Sequence, residues 1–175
     1  MPELLWNDVR NLFDPDLMGA LPDLTVPGTS AEDWQAVFDL VRPGGWDGEF
    51  RVGGAPAPLP SAAAVLSRPS DADTAELHVR PVPHVTFIFR PMTADEIDFD
   101  VDLRELQGQS GVDTLCGVLR TIGRRLGKPV TMSTGGNYAN PVLGYDPVAD
   151  RVRPLVDPES FELRPAGELR EPRAR

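Results

Sequence analysis

From Ile97 to Leu103 apolar and acidic residues alternate without a break: Ile97-Asp98-Phe99-Asp100-Val101-Asp102-Leu103. A strand sends successive side chains to opposite faces, so Ile97, Phe99, Val101 and Leu103 are expected in a core. Asp98, Asp100 and Asp102 then stand in file on the other face, roughly 6.6 Å apart at about 3.3 Å per residue. Neighbouring carboxylates repel, and Asp is disfavoured in strands, so the pattern points to a role other than foldability. Relief of that repulsion makes Asp100→Asn an expected neutral or mildly stabilising change.

Elsewhere the spacing is mostly helical. Leu4, Leu5, Trp6, Val9, Leu12 and Phe13 predict a helix over Glu3 to Phe13, ended by Asp14-Pro15. A Pro/Gly-rich link follows from Ala20 to Gly28. Ser30 reads as an N-cap with Glu32 and Asp33 in the first turn, and Trp34, Val37, Phe38 and Val41 form the apolar stripe behind it. Pro43-Gly44-Gly45 stops that helix. Trp46 to Val52 predicts a strand, Gly53 to Pro60 a loop, and Ser61 to Ser67 a short helix. Leu77 to Val82 and Val85 to Phe89 are β-rich, and Thr93 to Glu96 turns back into the acidic strand as a hairpin.

Gly111 to Leu126 carries the longest helical stripe, Val112, Leu115, Cys116, Leu119, Ile122 and Leu126. Gly127 suits its C-terminal cap, and Pro129 prevents continuation. Three short strands close the chain, Val130 to Ser133, Val142 to Tyr145 and Val152 to Val156, the last two joined by a turn over Asp146 to Asp150. This order predicts an α+β fold, a mostly antiparallel sheet with helices packed on one face. Residues 1–156 are expected to form a single domain, with 1–29 as its N-terminal helix and link, and 157–175 a polar, disordered C-terminal tail.

Composition adds two constraints. At 175 residues, 41% hydrophobic and 25% charged, the chain has the make-up of one folded domain. No apolar run approaches the roughly 18 residues a bilayer span needs. The start, Met1-Pro2-Glu3-Leu4-Leu5, lacks the features of a signal peptide, and a single cysteine, Cys116, fits a reducing compartment, so a cytosolic protein is expected. The net charge of −10 is uneven: residues 1–66 carry ten acids against three bases and residues 67–109 nine against four. Residues 110–128 reverse the sign through Arg120, Arg124, Arg125 and Lys128. Such a field disfavours nucleic acid and anionic membrane and favours a basic protein partner. Basic residues are almost all Arg, which together with abundant Ala, Gly and Pro suggests a GC-rich bacterial genome.

Candidate chemistry is sparse. Alternate carboxylates on a flat strand stand side by side rather than converging on an ion, so no metal or other cofactor is expected. His78 and His84 would need a third ligand to hold zinc. Cys116 falls on an apolar stripe, where a thiol packs as a small hydrophobe, and no G-x-S-x-G motif is present. Gly135-Gly136 reads as a turn between strands, and Glu32, Asp33 and Asp39 as a solvated helix face. Arg120, Arg124 and Arg125 are candidates to neutralise Asp102 or Glu105 from within, which would make the acidic strand partly structural. The remaining role is recognition: Asp98, Asp100 and Asp102, flanked by Glu96 and Glu105, complement a groove lined with Arg and Lys. The rival readings are a small enzyme or ligand-binding domain using His78, His84 and a carboxylate, or an adaptor whose acids keep its surface soluble.

The layout of the second half, IDFDVDLREL, then GVDTLCGVLRTIGRRLGKP, then strands around PVLGYDPVADRV, resembles the small acidic immunity proteins that accompany bacterial polymorphic toxins. The resemblance covers about half the chain, rests on layout and carries over no binding residue. It implies a non-enzymatic protein that neutralises a cognate toxin by stoichiometric inhibition.

Overall fold

The computed structural model describes residues 2–135 and 140–160. Within them nine strands form one antiparallel sheet in the order β3-β2-β4-β5-β6-β1-β7-β8-β9. They are β1 Asp23–Pro27, β2 Asp47–Val52, β3 Ala55–Ala57, β4 Ala75–Val82, β5 Val85–Phe89, β6 Glu96–Val101, β7 Val130–Ser133, β8 Pro141–Asp146 and β9 Arg151–Pro154. The helices are α1 Trp6–Val9, α2 Pro15–Met18, α3 Ala31–Phe38, α4 Ala62–Leu66 and α5 Gly108–Leu126. The fold is α+β, as the alternation of patterns predicts.

One face of the sheet is the core. The strand register aligns Phe50, Leu77, Phe89, Phe99, Leu24, Met132 and Leu143 in a continuous apolar row across seven strands. All seven are buried, and Phe89 and Phe99 stack with ring centroids 4.4 Å apart. Helix α5 packs on β7, β8, β9 and β4, and α3 packs on α5 and α4, so the helices seal this face. Val112, Leu115, Cys116, Leu119 and Ile122 are buried, which is the expected stripe.

Local chemistry sets the helix ends. Ser30 and Asp33 form a reciprocal capping box at α3, Ser61 caps α4 through the Ala64 N–H, and Gly127 ends α5 in the left-handed conformation at φ 65°. Helix α5 begins at Gly108, three residues before the expected start, because Gln107 anchors its entry by donating to the Phe13 and Leu103 carbonyls.

Several expectations are corrected. The N-terminal helix divides into α1 and a 3-10 turn over Arg10–Phe13. The link from Ala20 to Gly28 holds β1, which lies between β6 and β7 in the middle of the sheet. The loop from Gly53 to Pro60 holds β3, an edge strand whose Pro56 has no N–H to offer a further strand. Residues 157–160 are tied down: Pro158–Ser160 make a 3-10 turn, and the Asn11 side chain donates to the Pro158 carbonyl at 3.1 Å. The rest of the expected tail, residues 161–175, and Gly136 of the Gly-Gly turn lie outside the described residues.

Candidate functional site

On the second face of the sheet the outward side chains of β1, β4, β5 and β6 are partly exposed, and the same alternation that builds the core determines what stands there. In β6, Ile97, Phe99 and Val101 are buried while Asp98 and Asp100 are half-buried on the opposite side. The register carries Asp100 into line with Ile88, His78 and Glu49 on one side and with Asp23 on the other. Asp98 lies opposite Thr25, which in turn faces Thr131, and their hydroxyls are 3.3 Å apart.

Arg90 organises this face. It follows β5, donates its backbone N–H to the Asp98 carbonyl, and directs its guanidinium between two carboxylates. Asp100 is ion-paired with it directly, and Glu76 Oε2 lies 3.2 Å from its Nε. The other oxygen of Glu76 lies 3.4 Å from His78 Nε2, so Glu76 joins the histidine to the arginine. Further out, Arg51 Nε donates to Glu49 Oε1 at 2.8 Å. From β2 to β1 this face carries Asp23, Asp47, Glu49, Glu76, Glu96, Asp98 and Asp100 against Arg51, Arg80 and Arg90, so the field remains negative despite the internal pairs.

Asp98 is the exception to that pairing. Among the described residues its carboxylate has no hydrogen-bonding or ion-pair partner, and its titration is pushed up to about 6. Burial is the largest cause, Glu96 and then Asp23 add to it, Arg90 opposes it, and Asp100 adds a little more.

The expected site residues separate into two groups. Glu96, Asp98 and Asp100 share β6 and its outward alternation. Asp102 lies beyond the strand end, where it caps the 3-10 turn Leu103–Glu105 through the Arg104 N–H and pairs with the Arg104 side chain at 2.6 Å. That turn also replaces the last step of the expected strand. Glu105 accepts the Thr86 N–H at 2.9 Å. Neutralisation from α5 does not occur: Arg120 pairs with Glu3, and Arg124 makes a bidentate contact with Asp150 at 2.7 and 2.9 Å. Tyr145 also donates to Asp150, at 2.6 Å, and together these contacts hold the Asp150 carboxyl down at about 2.

The histidines are not brought together. His78 stands on the outer face of β4, whereas His84 is exposed in the turn after Val82, and Val82 itself lies about 13 Å of strand beyond His78. No group of three or more His, Cys, Asp or Glu among the described residues is arranged to hold a metal ion. Cys116 is buried, and its thiol is pushed up to about 12 by desolvation, which keeps it un-ionised and unreactive. No helix among the described residues is long and apolar enough to cross a membrane.

The reading from sequence missed Arg90 and Glu76. The signal was present for both: the run Val85-Thr86-Phe87-Ile88-Phe89-Arg90 alternates inward and outward, and Leu77 inward places Glu76 outward. Comparison of the chain with family models, curated proteins and solved structures finds no match.

Proposed function

We propose that this chain is a non-enzymatic binding protein that presents the open face of its sheet to a basic protein partner. One observation carries the reading: the outward side of β6 holds Glu96, Asp98 and Asp100 in file, with an excess of carboxylates around them. Hydrogen-bonded ladders on both sides of β6 fix the spacing of these groups, so a partner meets a preorganised surface. Complementary charge of this kind governs partner choice and association rate. The layout resemblance favours a particular version, a cytosolic immunity protein that neutralises a cognate toxin by occupying its Arg- and Lys-lined cleft.

The experiment is co-expression with each protein encoded beside this chain's gene, followed by affinity capture and a growth assay. A one-to-one complex that also relieves toxicity is the expected result. Absence of a complex with every neighbour-encoded protein would overturn the immunity version. A complex that survives reversal of Asp98 and Asp100 to Lys would remove this face from the interface.

A further inference from the structure

On the helix side, the end of α3, the residues leading into α4 and the last turn of α5 enclose an open cleft of about 760 Å³. Its apolar wall comes from Phe38, Leu40, Val41, Leu59 and Pro60. Leu59 is 38% exposed, which leaves an apolar side chain facing solvent in a place where a ligand could cover it.

The polar lining is held in place. Gln35 Oε1 accepts the Ala62 N–H at 2.8 Å, and Gln35 Nε2 donates to Asp39 Oδ1 at 2.9 Å, so the amide ties α3 to α4 and fixes Asp39. Arg42 and Arg125 reach the cleft from segments far apart in the chain. The stem of Arg42 lies over Gly45, with Cγ 2.8 Å from where a β-carbon would stand, so it packs against bare backbone.

What distinguishes the two arginines is that both line this cleft and neither is ion-paired with a carboxylate. In this acidic protein Arg51, Arg80, Arg90, Arg104, Arg120, Arg124, Lys128 and Arg153 all have carboxylate partners. Among the described residues Arg10, Arg42, Arg68, Arg125 and Arg151 have none, and of these Arg42 and Arg125 line the cleft. Asp39 is engaged by an amide, which leaves both guanidinium forks free to donate.

We propose that this cleft binds a small monoanionic carboxylate with an apolar body, its head held by Arg42 and Arg125. Two arginines against Asp39 leave one net positive charge, which one carboxylate balances and a phosphate dianion exceeds. A guanidinium fork matches a carboxylate in geometry, and the apolar wall receives the rest of the molecule. The site lies on the helix side and is independent of the acidic face.

Octanoate is a suitable probe, titrated into the full chain by calorimetry beside 1-octanol and octyl phosphate. Charge-assisted hydrogen bonds make octanoate bind about tenfold tighter than 1-octanol, with octyl phosphate intermediate. Arg42→Gln and Arg125→Gln each weaken octanoate by about tenfold. Arg68→Gln, at an arginine outside the cleft, leaves it unchanged. Equal melting temperatures for the three variants establish that the fold is intact. Equal affinity for octanoate and 1-octanol, an equal effect of Arg68→Gln, or the absence of saturable octanoate binding each overturns the proposal.

Discussion

At Asp98 a half-buried carboxylate has Glu96, Asp23 and Asp100 as neighbours, and its titration moves from 3.8 to about 6. The native protein therefore holds this proton more tightly than the unfolded chain does. The stability that results is present in full below about pH 4 and is lost as pH rises through about 6. Discounted for solvent screening at a partly exposed site, the effect is about 1 kcal/mol. Asp98→Asn is expected to raise stability by about that amount near pH 7.5 and to give almost nothing near pH 4. Urea unfolding at the two pH values checks it, and an equal gain at both would remove the titration argument. Two residues along, Asp100 has the opposite sign. It is ion-paired with Arg90, so Asp100→Asn removes a charge-assisted bond and should cost about 1 kcal/mol, where the bare alternation of charges led to an expected relief. Alternation identifies which acids share a face, but the Arg90 that pairs with Asp100 lies ten residues away, just past the end of β5.

Helix α5 and the strands beneath it turn small residue choices into large effects. A β-carbon added at Gly117 would meet nothing within 4 Å beyond the helix's own backbone, whereas at Gly123 it would lie 2.1 Å from Tyr145 Cδ1. Gly117→Ala should gain about 0.5–1 kcal/mol from helix propensity alone. Gly123→Ala should lose about 1–3 kcal/mol, because the ring of β8 must be displaced from a packed interface. Thermal melts of the two variants, differing in sign, check the seating of α5 on β8. In the sheet, Phe99→Ala should cost about 3–5 kcal/mol, since Phe99 stacks on Phe89 within the central apolar row; chemical denaturation measures it, and a silent change would mean the register of β6 is wrong. Elements with a long period were legible in the chain: α5, α3 with its Ser30 cap, and the β5–β6 hairpin. Strand β1 was not, because Asp23-Leu24-Thr25-Val26 offers four alternating residues between Pro22 and Pro27-Gly28. Its stability comes from pairing with β6 and β7, which are distant in sequence. Strand β3 was hidden for a related reason, since Ala55-Pro56-Ala57 has no strand propensity and exists as the edge partner of β2.

Across the whole molecule acids lie on both sides, but on the sheet face strand register sets them in line. The helix side holds the unpaired Arg42 and Arg125, while the open side of the sheet gathers Glu96, Asp98 and Asp100 with Glu49, Glu76 and Asp23. That the acids of β6 would share a face was legible in the alternation; that Arg90 would stand among them was not, because it depends on strand order. If a basic partner docks here, steering by this field acts mainly on the rate of encounter. Replacing Asp98, Asp100 and Asp102 with Asn should slow association by about tenfold at low ionic strength and change dissociation less. The effect should shrink above physiological salt, where the Debye length falls below about 8 Å. Folding should survive, because the gain at Asp98 offsets the lost Arg90 pair and the cap at Asp102 contributes about 0.5–1 kcal/mol. A matched control removes the same charge from the helix side, through Asp8→Asn, Glu32→Gln and Asp113→Asn, all at exposed positions. Stopped-flow association at two salt concentrations separates the cases. Slowing confined to the sheet-face variant supports docking there, equal slowing in both assigns the effect to net charge, and no slowing in either removes electrostatic steering from the interaction.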